Sequence, residues 1–135
     1  MLFVPNSPHN RMLVHEIRSS KPLYYSRPIG YVAPLTRGAA GKAILAFLSD
    51  KQSRQACEAL DEPKRRKLRL ELERIRKERH CVASGEMIEG ALSIAAPIFG
   101  HDAVVLGAVG IVGPELRNSA PVREKLIPEL MNAVQ

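Results

Sequence analysis

Two apolar stretches separated by a three-residue turn constrain the fold of this chain more than any other feature. The first, "GEMIEGALSIAAPIF", covers residues 85–99, and the second, "AVVLGAVGIVGP", covers residues 103–114, with "GHD" between them. A three-residue connection that contains glycine is typical of a β-hairpin with a bulge. Both stretches are dense in Ala, Gly, Ile and Val, so both faces of this hairpin are expected to be covered.

The N-terminal part of the chain predicts shorter and weaker strands. Residues 1–10, which contain two prolines, are interpreted as an irregular lead-in, and a single domain is expected over residues 11–135. A strand is predicted over residues 11–18. A second candidate strand covers residues 23–30, where Pro28 favours an edge position or an early end.

Helices are predicted over residues 39–48, 50–60, 64–80 and 122–134. The helix over 122–134 has an apolar face with a period of about four residues, and Ser119 is a possible N-cap. Pro128 is expected to kink or shorten this helix. Three predicted helices before the antiparallel hairpin and one after it indicate an α+β fold, in which helices pack on an antiparallel sheet.

The net charge of +6 is confined to one predicted helix. Residues 64–79, "KRRKLRLELERIRKER", hold nine basic and three acidic residues, and the rest of the chain is balanced at eleven of each. Leu68, Leu72 and Ile75 form a narrow apolar stripe. Charge runs of this kind are usually solvated helix faces. Direct nucleic-acid binding is the less favoured alternative, because no aromatic residue lies in the segment.

Composition excludes several classes of protein. No apolar run approaches the roughly 18 residues that a membrane helix needs, and the N-terminus lacks the basic and apolar regions of a signal peptide. Cys57 and Cys81 lie far apart and predict neither a disulfide framework nor a metal site. We therefore expect a cytoplasmic protein with no cofactor, no metal and no membrane partner.

The sequence gives little support to catalysis. The four histidines are scattered, and no H-E-x-x-H or G-x-S-x-G pattern occurs. Glu86 and Glu89 are three residues apart on a predicted strand, so they face opposite ways and do not form an acid and base pair. We expect no enzyme, and we interpret Glu86 either as a polar anchor in a pocket or as a plain solvent-exposed carboxylate.

The stretch "LTRGAAGKAILAFL", residues 35–48, places glycines and small residues at a helix start. It is not a phosphate-binding P-loop, because Gly38 and Gly41 are separated by two residues rather than four and Lys42 is followed by Ala43. Helix N-termini present free N–H groups, and small residues allow a ligand to approach them. The alternative is that these small residues simply permit close helix–sheet packing. Lys42 is expected to lie just past the rim as a bystander.

These segments, in this order, resemble the effector-binding domain of IclR-family bacterial transcriptional regulators. Members carry P-L-x-x-x-A-x-G-K-A-x-L-A, then E-x-x-x-G-x-x-S-I-A-A-P-[VI]-F, then a strand that ends in G-P. The first pattern matches from Pro34 to Ala46, the second from Glu86 to Phe99, and the third at Gly113 and Pro114. The resemblance extends from about Met12 to the C-terminus.

The resemblance implies a GAF-like sensor domain that binds a small metabolite, often a carboxylate or an aromatic acid, and that assembles as a homodimer or homotetramer. It also implies that DNA is bound only through an N-terminal helix-turn-helix, which this chain lacks. Carried over by position, the ligand-binding residues are Gly38, Ala39, Ala40, Glu86, Ser93, Gly110 and Val112.

The chain also departs from the family pattern. Residues 1–10 are expected to be too few for the first elements of the domain, which indicates an N-terminally incomplete domain: a fragment, a truncated gene product or a degenerate paralogue. Members often carry serines where this chain has Gly110 and Val112, so we expect a less polar or wider pocket. The alternative function is a structural dimerisation module whose pocket is vestigial.

Overall fold

The computed structural model describes residues 1–21, 25–115 and 120–135. Within these residues the chain forms six strands and four helices. The strands are β1 (Leu2–Pro5), β2 (Asn10–His15), β3 (Val32–Pro34), β4 (Cys81–Ser84), β5 (Ala91–Phe99) and β6 (Val105–Pro114). The helices are α1 (Ala39–Leu45), α2 (Asp50–Ala56), α3 (Glu62–Glu78) and α4 (Ala120–Ala133).

The strands form one antiparallel sheet in the order β3-β2-β1-β6-β5-β4. The predicted hairpin is its longest pairing and runs from Ala91 opposite Pro114 to Phe99 opposite Val105. The register shifts between Ile98 and Phe99, so the bulge expected from the short turn is present. The predicted α+β fold with an antiparallel sheet is therefore confirmed.

The interpretation of residues 1–10 as an irregular lead-in is wrong for Leu2–Pro5. This segment is β1, which pairs with β2 on one side and with β6 on the other. Phe3 on this strand is 5% exposed and belongs to the main core. Pro5 stands at the last residue of the strand, where a missing N–H interrupts the ladder least, and four residues are too few to show a clear alternation.

Two further strand predictions need correction. The strand predicted over 23–30 is absent from residues 25–30, and residues 22–24 lie outside the described residues. The strand in this region is β3, which begins at Val32. It follows a turn in which Tyr31 N–H donates to Pro28 O. The strand predicted over 85–99 begins only at Ala91, because residues 85–90 form a loop between β4 and β5. Gly85 and Gly90 bound this loop with φ of 67° and 77°, in the left-handed region.

Helices α1, α2 and α3 lie on one side of the sheet. All seven residues of α1 are buried, and the small residues among them, three alanines and Gly41, allow the helix to pack closely on β5 and β6. Ser49 and Gln52 form a capping box at α2. Asp61 accepts from Lys64 N–H and caps α3, whose buried residues are the predicted Leu68, Leu72 and Ile75.

Helix α4 covers part of the opposite sheet face. Leu130 is its buried residue and packs in a second core with Leu92, Ile94 and Ala96 of β5. The helix continues through Pro128 to Ala133, so the expected shortening does not occur. The predicted cap Ser119 lies outside the described residues. None of the helices in the described part of the chain has the length and apolar character needed to cross a membrane.

Candidate functional site

A small cavity, which we call the α1 cavity, lies where the first turn of α1 meets the sheet. Its volume open to the centre of a water molecule is about 70 Å³. One water needs about 10–15 Å³ by this measure, so the α1 cavity has room for roughly five to seven waters or a molecule of similar size. Its walls come from β1, β2, β5, β6, residues 25–31, the start of α1 and the 85–90 loop.

The structure brings six of the seven predicted site residues together around the α1 cavity: Gly38, Ala39, Ala40, Glu86, Ser93 and Val112. The seventh, Gly110, does not line the α1 cavity. It lies beside β1, where its N–H donates to the carbonyl of Met1 at 2.8 Å, and it lines a separate groove beside α4. The short strand β1, which was not predicted, accounts for this position.

Arg11 of β2 is the most unusual residue in the wall of the α1 cavity. It is 4% exposed, and its Nη1 donates to Arg37 O at 2.8 Å and also to Pro34 O. Its Nε has no hydrogen-bond partner, and no carboxylate among the described residues lies within 4.0 Å of the guanidinium. Burial lowers the pKa of Arg11 to about 10, and Tyr31 and Glu86 partly offset this effect. At neutral pH it is a buried, charged group without an ion-pair partner among the described residues.

Glycines and an aromatic ring hold the Arg11 guanidinium in place. A Cβ atom on Gly41 would lie 2.5 Å from Nη1, and one on Gly38 would lie 3.0 Å from Nη2. The guanidinium carbon stands 5.1 Å from the centroid of the Phe3 ring, in a cation–π contact. The absence of side chains at the start of α1 therefore makes room for Arg11, as well as allowing close packing.

Lys42 and Glu86 form an ion-pair network at the rim of the α1 cavity. Lys42 Nζ lies 2.6 Å from Glu86 Oε2 and 2.6 Å from Glu71 Oε2 on α3, and the lysine side chain is 3% exposed. Burial would lower the pKa of Lys42, but its hydrogen bonds to the two carboxylates outweigh burial and raise it. The expectation that Lys42 is a bystander is wrong, and Glu86 is a paired anchor rather than a free surface carboxylate.

Glu86 also occupies the start of α1. Its Oε1 accepts from Gly38 N–H at 3.1 Å, and its own carbonyl accepts from Arg37 Nη2. The next residue, Met87, packs over Gly38, with its Cγ 3.0 Å from the position of a Gly38 Cβ. The 85–90 loop is thus fastened to α1 by polar contacts and by packing, and it forms one wall of the α1 cavity.

The other walls are mainly apolar and aromatic. Tyr25, Tyr31 and Ile88 line them, and Arg27 stacks over the Tyr31 ring at 4.9 Å from the ring centroid. The Ser93 hydroxyl donates to Ala83 O at 3.4 Å. Position 112 has no hydroxyl, as the sequence shows, but the two tyrosines and two arginines supply polar groups that sequence analysis missed.

One signal in the sequence points to Arg11. In "RMLVH", Arg11 and Leu13 share a strand face, and Leu13 is fully buried. An arginine in register with a core leucine is an unusual pattern. No comparable signal identifies Tyr25, Tyr31 or Met87, since they lie on irregular segments. Among the described residues, no group of three or more His, Cys, Asp or Glu is arranged to hold a metal ion.

The family model described as "Bacterial transcriptional regulator IclR C-terminal" matches residues 7–135. The chain belongs to the IclR C-terminal domain family. This confirms the resemblance seen in the sequence motifs. The members of this family are bacterial transcriptional regulators. Among curated protein sequences, none matches this chain significantly.

Solved structures of IclR-type regulators have the same fold. A C-terminal domain of a Vibrio cholerae transcriptional regulator is 25% identical, with a TM-score of 0.88 over 98% of this chain and 81% of that one. The IclR protein of Thermotoga maritima is 22% identical (TM-score 0.88), and the Agobacterium tumefaciens repressor BlcR is 20% identical (TM-score 0.84). Each matches 98% of this chain, which spans 57% and 55% of their respective lengths.

Proposed function

We propose that this IclR-type domain senses a small carboxylic acid that binds in the α1 cavity. The observation that carries the proposal is Arg11, a buried guanidinium that lines the cavity without an ion-pair partner among the described residues. Burying an unpaired charge costs several kcal/mol. A bound carboxylate would remove that cost, because guanidinium and carboxylate groups form strong charge-assisted hydrogen bonds.

The volume of the α1 cavity indicates which acids fit best. Room for roughly five to seven waters fits an aliphatic acid of three or four carbons better than an aromatic acid, which is larger. Phe3, Tyr25 and Tyr31 nevertheless offer aromatic surface, so benzoate belongs in any test. The proposal assigns no reaction to these residues.

The proposed regulator acts on DNA through an N-terminal helix-turn-helix outside these 135 residues, as a homodimer or homotetramer in the cytoplasm. The effector would change the geometry of the DNA-binding units, which requires that it bind two conformations with different affinity. Family membership and the similarity to the Agobacterium repressor support this role.

Thermal unfolding with matched acids and amides tests the proposal. Propionate, butyrate and benzoate are compared with propionamide, butyramide and benzamide. We expect at least one acid to raise the Tm by mass action and its amide to have no effect, because Arg11 requires an anion. Equal shifts with acid and amide would contradict carboxylate sensing. No shift with any compound, together with a stable dimer, would favour the structural dimerisation module.

A variant assigns the effect to Arg11. Arg11→Gln is expected to abolish the shift, and Arg11→Lys to weaken it, because lysine keeps the charge but loses the planar fork. Arg18→Gln is the control, since Arg18 is 70% exposed and lies outside the α1 cavity. If Arg11→Gln does not fold, the acid and amide comparison on the unaltered chain still decides the question.

A further inference from the structure

The cation and the anion of the α1 cavity lie against the same residue. Arg11 Nη2 is 3.0 Å from the position of a Gly38 Cβ, and Gly38 N–H donates to Glu86 Oε1 at 3.1 Å. Among the described residues, the Arg11 guanidinium and the Glu86 carboxylate do not form an ion pair within 4.0 Å. Arg11 and Glu86 both line the α1 cavity, so a short molecule inside the cavity lies near both groups.

Glu86 keeps acceptor capacity toward the cavity. Lys42 Nζ uses Oε2 and Gly38 N–H uses Oε1, while a carboxylate offers about four lone-pair sites. The Glu86 side chain is 33% exposed and lines the α1 cavity. An ionised carboxylate accepts hydrogen bonds and donates none. A ligand group beside Glu86 therefore forms a hydrogen bond with it only if that group has an O–H or N–H donor.

We propose that the effector is a short hydroxy acid, whose carboxylate binds Arg11 and whose hydroxyl donates to Glu86. This inference rests on the proposed function and narrows it. A keto acid would place a carbonyl oxygen against the Glu86 oxygens, and the two sets of lone pairs would repel each other. An acid without a hydroxyl at that position would offer Glu86 no donor and would gain no hydrogen bond from it.

The surrounding charges favour a hydroxyl over an ammonium group. Lys42 already pairs with Glu86, and Arg11 and Arg27 also line or border the α1 cavity. An amino acid would add a further cation to this wall. The tyrosine hydroxyls of the cavity do not affect the preference for a hydroxy acid over a keto acid. Each hydroxyl can rotate to donate or to accept a hydrogen bond, so it can bind either acid.

Two series of acids of matched length test the inference by isothermal titration of the 135-residue chain. The first is lactate, pyruvate, propionate and alanine, and the second is 3-hydroxybutyrate, acetoacetate and butyrate. We expect the hydroxy acid in at least one series to bind about tenfold to a hundredfold more tightly than its keto and unsubstituted analogues, as is typical of a hydrogen bond to a charged group.

Glu86→Gln shows whether Glu86 is the group that selects. The amide keeps the shape of the side chain but offers N–H donors, so the preference for the hydroxy acid should fall below threefold or turn toward the keto acid. Glu89→Gln is the control, because Glu89 lies in the same loop, is exposed and does not line the α1 cavity. It should keep the full preference.

The outcomes separate the two proposals. If acids bind and the hydroxy and keto analogues have equal affinity, the hydroxy-acid inference is overturned while carboxylate sensing stands. A higher affinity for alanine than for lactate also overturns it. If none of the acids binds, carboxylate sensing fails as well. If Glu86→Gln does not fold, the order of affinities on the unaltered chain decides.

Discussion

Lys42 Nζ lies 2.6 Å from Glu86 Oε2 and 2.6 Å from Glu71 Oε2, so one buried ammonium joins the rim of the α1 cavity to helix α3. Glu71 comes from the basic helix, which had no obvious link to the G-K-A segment in the sequence. Any movement of Glu86 changes the surroundings of Lys42 and hence of α3. This network ties the order of the candidate site to the stability of the domain.

Removing the Lys42 charge is expected to destabilise the domain. Lys42→Met leaves Glu71 and Glu86 without their shared cation. We expect a loss of about 2–3 kcal/mol in the free energy of unfolding. This is less than the usual cost of breaking a buried pair, because both carboxylates keep contact with water. Urea denaturation measures it. Arg74→Met is the control, since the Arg74–Glu78 pair is exposed and 4.0 Å long; its effect should stay below about 0.5 kcal/mol.

The difference in unfolding free energy between the unaltered chain and Lys42→Met is expected to depend on pH. The pKa of Lys42 is raised by folding above the usual 10.5, so its stabilising contribution is complete below pH 10.5 and is lost as pH rises through the higher folded value. The stability difference between the unaltered chain and Lys42→Met should therefore be constant from pH 7 to 10 and decrease above 10.5. A difference that grows above pH 10.5 would contradict a raised pKa.

Gly41→Ala is expected to disturb Arg11. The new Cβ would lie 2.5 Å from Arg11 Nη1 and 2.8 and 2.9 Å from the carbonyl oxygens of Pro34 and Leu35. We expect a loss of about 1–3 kcal/mol in unfolding free energy from overpacking, together with weaker binding of any acid that stabilises the unaltered chain. Gly100→Ala is the control, because its closest contact is the Asp102 side chain at 3.3 Å, in a distant turn.

A second glycine prediction concerns the pairing of β1 with β6. A Cβ on Gly107 would lie 2.2 Å from the carbonyl oxygen of Phe3, whereas a Cβ on Gly110 of the same strand meets only ordinary contacts at 3.6 and 3.7 Å. Gly107→Ala should force the strands apart and cost about 2–3 kcal/mol or more, and Gly110→Ala should stay within about 0.5 kcal/mol of the unaltered chain. Equal Tm values for the two variants would show that β1 does not pair there.

The parts of the fold that the sequence predicts are the long and strongly patterned ones. The β5–β6 hairpin has nine to ten residues a strand, and α3 repeats its leucines over four turns, so local pattern was sufficient. The strands β1 and β4 have four residues each and are defined by the neighbours with which they pair. Such short strands carry too few side chains for an alternation to be recognised.

For the candidate site, the motif predicted residues that lie around one cavity, but it did not predict their partners. Six of the seven predicted residues surround the α1 cavity, because the G-K-A helix start and the E-x-x-x-G loop both lead into it. The role of Lys42 depends on carboxylates 29 and 44 positions away along the chain. The importance of Arg11 depends on the absence of a carboxylate beside it in the described part of the chain, and both facts arise only from tertiary packing.

The last prediction concerns Arg79, which ends α3 with φ of 66° and stacks on two rings. Its guanidinium carbon lies 4.8 Å from the Phe47 centroid and 4.6 Å from that of Phe99, and the two rings meet edge to face at 5.0 Å. Arg79→Ala loses both cation–π contacts and keeps the left-handed backbone, so we expect a loss of about 1–2 kcal/mol in unfolding free energy.

Arg79→Gly loses the same contacts but relieves the left-handed strain, which is worth about 1 kcal/mol. It should therefore be more stable than Arg79→Ala and close to the unaltered chain, with urea denaturation as the measurement. If alanine and glycine are equally destabilising, the backbone at Arg79 is not strained. If alanine is neutral, the stacking on Phe47 and Phe99 adds nothing to stability.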